Sequence, residues 1–223
     1  MGFFDRYQTP ADLPQRIPVF PLSGALLLPR ADLPLNIFEP RYLEMVSDAL
    51  AGSRLIGMIQ PEEDKADIMG RPPLCRIGCA GRITSYMETP DSRLLVTLTG
   101  ICRFAVSTEL VTVTAYRQVQ PDYAPFEEDL TRDFGQEAVD RETLLATFKN
   151  YLEANGLKAD WEQVAEASNE TLVNTLSLIA PYPPRDKQAL LEAQDLKSRA
   201  DVLVALTEMS LARQSGGPGR RLQ

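Results

Sequence analysis

Apolar residues recur with two different periods along the chain, and the period changes near residue 121. Before that point they form short or alternating runs, separated by Pro, Gly, Asp and Ser, which is typical of β-strands. The runs are RIPVFPL, LPLNIF, RLIGMIQ, LCRIGCAGRITSYME, SRLLVTLTGICRFAV and LVTVTAYRQVQ. One helix, Pro40–Ala51, is predicted among them.

The run SRLLVTLTGICRFAV predicts how the sheet is shaped. Its apolar phase is uneven, and Gly100 stands in its middle, which indicates a β-bulge or a bend. Such a bend curls a sheet, so we expect a closed or partly closed barrel.

Beyond Tyr123-Ala124-Pro125 the apolar residues repeat with a period of about 3.6, which indicates helices. A first helical stripe ends at Asn155-Gly156, and later helices are predicted to begin near Asp160, Pro184 and Asp195. The fold class predicted is therefore α+β, an N-terminal β-barrel with one inserted helix followed by a C-terminal α-helical bundle.

The change of period also predicts the domain organisation. We expect a β-domain over residues 1–124 and a helical bundle over residues 125–213. The final segment, residues 214–223, has almost no apolar residue to bury and is predicted to be a disordered tail.

The segment Glu39-Pro40-Arg41 lies between a predicted strand and the inserted helix. Proline disfavours helical geometry in the residue before it and suits the first helical position, so Pro40 should begin the helix. A catalytic acid would need a second acid or base close by, which the spacing does not supply. We therefore interpret the segment as a strand-to-helix joint.

Composition and charge narrow the function classes. The 223 residues carry a formal charge of −8 and only 5 lysines, which disfavours nucleic acid as a partner. No apolar run approaches the ~20 residues that span a bilayer, and the N-terminus lacks the features of a signal peptide, so we expect a cytoplasmic protein without membrane contact. One basic segment, residues 71–117, contains arginines that we interpret as solvated strand positions: Arg71, Arg76, Arg82, Arg93, Arg103 and Arg117.

The sequence gives little support for a metal site or for a catalytic nucleophile. The chain has no histidine, which excludes His-containing zinc sites and Ser-His-Asp triads. Cys75 and Cys79 lie four positions apart on a predicted strand, roughly 13 Å, which is too far for one zinc ion or a disulfide. We expect these residues and Cys102 to be small buried hydrophobes, and we predict no metal, no cofactor and no catalytic residue.

Several motifs together resemble one family. Ile17-Pro18-Val19-Phe20-Pro21-Leu22, Leu28-Pro29 and the stretch from Leu33 to Tyr42 closely resemble the start of the N-terminal, substrate-binding domain of Lon proteases. Later segments are also similar to that family, and the resemblance runs from about residue 17 to residue 213. They are Ile56-Gly57-Met58, Gly78-Cys79-Ala80-Gly81-Arg82-Ile83, Leu98-Thr99-Gly100-Ile101-Cys102-Arg103-Phe104 and Gln188-Ala189-Leu190-Leu191-Glu192.

The resemblance implies a PUA-like pseudo-barrel followed by helices. The sequence lacks the phosphate-binding G-x-x-x-x-G-K-[ST] motif of the Lon ATPase, and we expect neither ATPase nor Ser-Lys protease activity. The implied function is non-catalytic binding of unfolded or partly folded polypeptide, as an adaptor or client-recognition protein in protein quality control. A protease or chaperone is the further partner that this role implies. The sequence predicts no oligomeric state.

Polypeptide contacts are expected from apolar residues in loops and at strand ends of the β-half, because unfolded chains offer apolar side chains and free strand edges. Core packing is the competing interpretation for each candidate. An RNA-binding face along residues 71–117 is the alternative function, and an enzyme site that the spacing does not reveal is a weaker one. The candidate contacts are Leu28, Pro29, Leu33, Pro34, Met58 and Met87.

Overall fold

The computed structural model describes residues 3–62 and 71–215. Among these residues the strands are β1 (Ile17–Pro21), β2 (Asp32–Ile37), β3 (Leu55–Pro61), β4 (Leu74–Glu88), β5 (Leu94–Leu110) and β6 (Arg117–Asp122). The α-helices are α1 (Pro40–Ala51), α2 (Arg141–Ala154), α3 (Trp161–Glu166), α4 (Asn169–Ile179), α5 (Pro184–Glu192) and α6 (Leu196–Ser215). The α+β class predicted from the sequence is confirmed.

The strands form one sheet in the order β2-β5-β4-β3-β1-β6, and an additional pairing joins β5 to β6. Five strands therefore follow one another in a closed circuit of pairings, and β2 lies outside that circuit, paired with β5. Only β1 and β3 pair in parallel; the other pairings are antiparallel. Ile17, Val19, Ile101, Phe104 and Val119 are among the residues of the core that these strands enclose.

The bend expected at Gly100 is present as a shift in register between β4 and β5. Gly81 pairs with Gly100 and Ala80 pairs with Cys102, so Ile101 is the extra residue of a β-bulge. Bulges increase local twist, which helps β5 to pair with β2 near its start and with β6 near its end.

The joint predicted at Glu39-Pro40-Arg41 is confirmed. β2 ends at Ile37, Pro40 occupies the first turn of α1, and the Gly52 N–H donates to the Ala49 carbonyl where the helix ends. Tyr42, Met45, Val46 and Ala49 form the buried face of α1.

By its internal contacts the described chain divides into two compact units. The first comprises residues 1–132 and 182–191, so it contains the whole sheet, α1 and nearly all of α5. In this unit the Gln60 side-chain amide donates to the Pro184 carbonyl at 3.0 Å and to Gln188 Oε1 at 3.2 Å. Lys187 Nζ donates to the Gly24 carbonyl at 2.9 Å.

A buried ion pair also joins distant parts of the first unit. Arg103 donates to Asp129 from its backbone N–H and from Nε and Nη2, at 2.8–3.0 Å, and its Nη1 donates to the Leu191 carbonyl at 3.1 Å. The guanidinium lies 4.4 Å from the centre of the Phe126 ring. The prediction that Arg103 is a solvated strand position is wrong, since only 3% of its side chain is exposed.

The second unit comprises residues 133–181 and 192–223, and its described part contains α2, α3, α4 and α6. The start predicted near Asp160 is confirmed, because its carboxylate accepts from the N–H groups of Glu162 and Gln163. Arg141 of α2 donates to the carbonyls of Val164, Ala165 and Ala167.

Two predictions concern the ends of these units. The domain boundary predicted at residues 124 and 125 stays a prediction for independently folding domains. Helix α6 extends to Ser215, two residues into the predicted disordered tail, and residues 216–223 of that tail lie outside the described residues. Within the described part, no helix has both the length and the apolar character needed to cross a membrane.

Candidate functional site

One end of the sheet consists of three strands: β2, the first part of β5 and the last part of β4. Residues Leu94–Thr99 of β5 pair with β2 on one side and with residues 82–88 of β4 on the other. The pairing of β3 with β4 covers residues 74–82 of β4, so this three-stranded end has no further strand neighbour in the described part of the chain. β2 and the last part of β4 are its two outer strands.

The backbone of β2 is open on the side away from β5. The Gly100 N–H donates to the Ala31 carbonyl at 2.9 Å, which indicates that odd-numbered residues direct their backbone groups toward β5. Asp32, Pro34 and Asn36 then direct theirs toward the open side. Pro34 is suited to this position, because a proline that faces outward removes no hydrogen bond from the sheet.

Large apolar side chains are exposed on and beside these strands. Phe38 directly follows β2 and is 60% exposed, while Met87 and Tyr86 of β4 are 59% and 55% exposed. Leu95 of β5 is also exposed and pairs across the strands with Met87. The Arg93 guanidinium lies 5.6 Å from the centre of the Phe38 ring. A grouping of this kind next to an open strand edge is suited to binding an extended polypeptide.

The structure brings three of the six predicted contact residues to this end of the sheet. Leu33 is half-buried and Pro34 is exposed on β2, and Met87 is exposed on β4. These three residues stay candidates for polypeptide contact.

The other three predicted contacts are buried. Leu28 and Met58 have 0% and 2% of their surface exposed, and Pro29 is also buried. Leu26, Leu27 and Leu28 all belong to the core, in agreement with the competing interpretation of core packing. The segment lies against β5, where Pro29 forms a bridge with Gly100, so core packing accounts for it. We leave these residues out of the surface discussed below.

Sequence reasoning missed Phe38, Tyr86 and Leu95 as exposed apolar residues. Tyr86 and Leu95 lie on either side of the connection between β4 and β5, residues 89–93. That position was a detectable signal, because the end of a long hairpin extends past the strands that cover its base. Phe38 was assigned to the end of a strand, and nothing in its neighbours indicated exposure.

The arginines of residues 71–117 are largely engaged within the protein. Arg117 pairs with Glu109, Arg93 pairs with Asp91, and Arg82 donates to the Tyr7 hydroxyl at 2.9 Å. Together with the buried Arg103, these contacts reduce the charge that a nucleic-acid face along this segment would offer.

The cysteines occupy ordinary packing positions. Cys79 and Cys102 are buried and Cys75 is half-buried, all three as free thiols. Burial raises the pKa of the Cys102 thiol, and the thiol donates to the Phe126 carbonyl at 3.3 Å. Over residues 3–62 and 71–215, no group of three or more Cys, Asp or Glu side chains is placed to hold a metal ion.

Comparison with known proteins gives consistent matches. The family model described as the ATP-dependent protease La (LON) substrate-binding domain matches residues 16–208. Lon protease 2 of Myxococcus xanthus is 26% identical over 202 residues, a match that covers 87% of this chain and 24% of that protein. The Lon protease of Escherichia coli K12 is 24% identical over 200 residues, covering 87% of this chain and 25% of that protein. The chain thus spans about a quarter of the length of these relatives.

Two solved structures share the fold. The Lon N-terminal domain protein from Xanthomonas campestris aligns with a TM-score of 0.61 at 22% identity, covering 85% of this chain and 97% of that chain. The N-terminal domain of Mycobacterium avium complex Lon protease aligns with a TM-score of 0.61 at 17% identity, covering 86% and 98%.

Proposed function

Since this chain belongs to the family of ATP-dependent protease La (LON) substrate-binding domains, we propose that it binds unfolded or partly folded polypeptide through the three-stranded end of its sheet. Binding there is not coupled to any reaction catalysed by the described residues. The protein would serve as a cytoplasmic adaptor or client-recognition protein in protein quality control, working with a separate protease or chaperone.

The observation that carries this proposal is the open edge of β2 with exposed apolar side chains beside it. An extended polypeptide that pairs with β2 satisfies the outward backbone groups of Asp32 and Asn36 next to Phe38. A continuation of that polypeptide across the face of the sheet covers Leu95 and Met87. Main-chain hydrogen bonds then supply affinity for any sequence, and the apolar side chains favour segments that are normally buried in folded proteins.

The closed circuit of β1, β3, β4, β5 and β6 is what a PUA-like pseudo-barrel would require, and we include that assignment in the proposal. In such an arrangement β2 lies outside the ring, where a ligand strand reaches it without disturbing the core.

The test compares two exposed apolar residues of the same unit. Met87→Asp places a charge within the proposed surface, whereas Val111→Asp does so in the connection between β5 and β6, where Val111 is fully exposed. Burying a methionine contributes roughly 1.5 kcal/mol or more, so we expect Met87→Asp to weaken binding of a fluorescein-labelled unfolded peptide about tenfold. Val111→Asp should bind as the wild type does, by fluorescence anisotropy.

Both residues are exposed, so both variants should melt as the wild type does, and melting curves provide the control for folding. Equal affinity of the two variants would contradict the proposed surface. Binding measurements at low and moderate salt distinguish polypeptide binding from the RNA-binding alternative. Hydrophobic contacts depend weakly on ionic strength, whereas contacts with phosphate groups weaken steeply as salt is added.

A further inference from the structure

The first unit contains a cavity that the proposed surface does not use. Its volume is about 140 Å³, and it is open on one side. A cavity of about 150 Å³ accommodates a ring the size of benzene, so this one has room for a short side chain with a terminal carboxylate. Residues that line it include Arg41, Arg71, Arg117, Tyr42 and Tyr116.

The lining of the cavity is cationic. Among the described residues that line it, three contribute guanidinium groups and none contributes a carboxylate. Burial raises the pKa of Tyr42, and burial together with the hydrogen bond to Asp48 raises the pKa of Tyr116 to about 12. Both phenols therefore stay neutral at physiological pH and add no negative charge to the lining.

Three carboxylates of the described residues contact these groups from outside the lining and hold them in place. Glu109 accepts from Nε and Nη2 of Arg117, whose Nη1 donates to the Pro72 carbonyl at 2.7 Å. Glu39 accepts from Nε and Nη2 of Arg41. The Tyr116 hydroxyl donates to Asp48 at 2.7 Å.

Arg71 differs from the other two arginines. It is exposed, and its side chain forms no hydrogen bond or ion pair with any residue that the structure describes. The Arg41 guanidinium lies 4.5 Å from the centre of the Tyr42 ring, and its Nη1 has no acceptor within the described residues. Arg71 and Arg41 therefore keep donors available for an anion, while Arg117 contributes mainly charge.

We propose that this cavity binds a carboxylate group of the bound polypeptide, either an Asp or Glu side chain or the C-terminal carboxylate. Planar guanidinium groups match the planar carboxylate in shape and in donor spacing. The tyrosine rings and the prolines of the lining contact the methylene groups that carry the carboxylate. The inference rests on the proposed function, because it defines which segments of a polypeptide are preferred.

The first experiment measures that preference by anisotropy with two labelled peptides. One contains apolar residues and Asp and ends in a free carboxylate; the other replaces each Asp with Asn and is amidated. We expect the wild-type chain to bind the acidic peptide about tenfold more tightly, a ratio that corresponds to about 1.4 kcal/mol. Arg71→Gln should reduce the ratio to about one or two.

Arg76→Gln is the matched control. Arg76 is an exposed arginine of β4 in the same unit, and it is not part of the lining. This variant removes the same charge and should keep the tenfold preference. An equal loss in both variants would show a general effect of net charge and would overturn the inference.

The second experiment tests the cavity without a polypeptide, so that its failure is distinguishable from failure of the proposed function. N-acetyl-glutamate amide and N-acetyl-leucine present a side-chain and a C-terminal carboxylate, and N-acetyl-glutamine amide and N-acetyl-leucinamide are their neutral counterparts. We expect the carboxylates, and not the amides, to shift the arginine Nε–Hε NMR signals of Arg71 and Arg41 in a saturable manner. The compound that saturates at lower concentration identifies the preferred source of the carboxylate.

Absence of saturable shifts with both carboxylates would overturn the inference. Tighter binding of inorganic phosphate than of either carboxylate would also overturn it, because the site would then be specific for phosphate. Saturable carboxylate binding by a chain that binds neither peptide would support the cavity and overturn the proposed function.

Discussion

At Gly100 the backbone of residues 28 and 29 passes directly over β5. A Cβ atom at this position would lie 2.0 Å from the Leu28 carbonyl oxygen, which is far inside van der Waals contact. The atom that obstructs it belongs to the backbone, so no rotation of a side chain relieves the clash. Glycine at position 100 is therefore required by close approach, and the same glycine permits the adjacent bulge.

We predict that Gly100→Ala destabilises the first unit by about 3 kcal/mol or more, since overpacking of this kind displaces the backbone. Gly52→Ala is the matched control, because its added Cβ would meet no atom closer than 3.4 Å and its φ is negative. Urea unfolding followed by circular dichroism measures both. Similar unfolding midpoints for the two variants would contradict the prediction.

Sequence patterns predicted the special position of Gly100 but not the burial of Leu28. A glycine in the middle of an apolar strand is a local signal. The burial of Leu28 depends on contact with a strand that lies about 70 residues further along the chain, and the residues around Leu28 do not indicate that contact. The Arg103–Asp129 pair was missed for the same reason, since each residue alone has the sequence context of an exposed charge.

At the scale of elements, the open edge of β2 can form only a limited number of backbone hydrogen bonds, because Pro34 lies in its middle. This residue lacks an N–H, so the edge offers outward donors only at Asp32 and Asn36, on either side of it. Natural proteins often place proline at a sheet edge, where it discourages pairing between copies of the protein. The strand therefore pairs with a short segment more readily than with a long one.

We predict that Pro34→Thr increases binding of a labelled unfolded peptide several-fold, because it adds a donor in the middle of the edge and threonine favours strands. Pro18→Thr is a contrasting variant, since β1 already has strand neighbours on both sides. Size-exclusion chromatography of the same samples reports any pairing between copies. Unchanged peptide affinity in Pro34→Thr would show that side chains alone make the contact.

Elements with strong local signals were predicted well. α1 has proline at its start, glycine at its end and one apolar face, and the structure confirms its span. The open edge of β2 could not be predicted, because the neighbours of a strand are decided by pairings far along the chain. The cationic cavity could not be predicted either, since Arg41, Arg71 and Arg117 come together only when α1, β6 and the segment that precedes β4 are in place.

At the scale of the whole molecule, the first unit is built from two separate stretches of chain. Residues 182–191 return to it and supply the partners of Gln60 and Gly24. An N-terminal fragment that stops after β6 therefore lacks part of its own unit. The sequence-based division at residue 124 would remove this segment from the β-domain.

We predict that residues 1–132 alone unfold at a lower urea concentration than the same unit in the full chain. A synthetic peptide of residues 182–192, added in excess, should raise the unfolding midpoint in proportion to the logarithm of its concentration, because it binds only the folded fragment. A scrambled peptide of the same composition is the control. Equal stability of the fragment and the full chain would show that the returning segment is dispensable.

The position of residues 182–191 in the chain also determines when the first unit can complete its folding during synthesis. Strand β6 ends at Asp122 and α5 begins at Pro184. At roughly 5–20 residues per second, a ribosome needs roughly 3–12 s to add the ~60 residues between them. During that interval the nascent sheet has all its strands, yet Gln60 lacks Pro184 and Gln188, and Arg103 lacks the Leu191 carbonyl. This chain is thus itself incompletely folded for several seconds of its own synthesis, with polar groups that still lack the partners they have in the complete first unit.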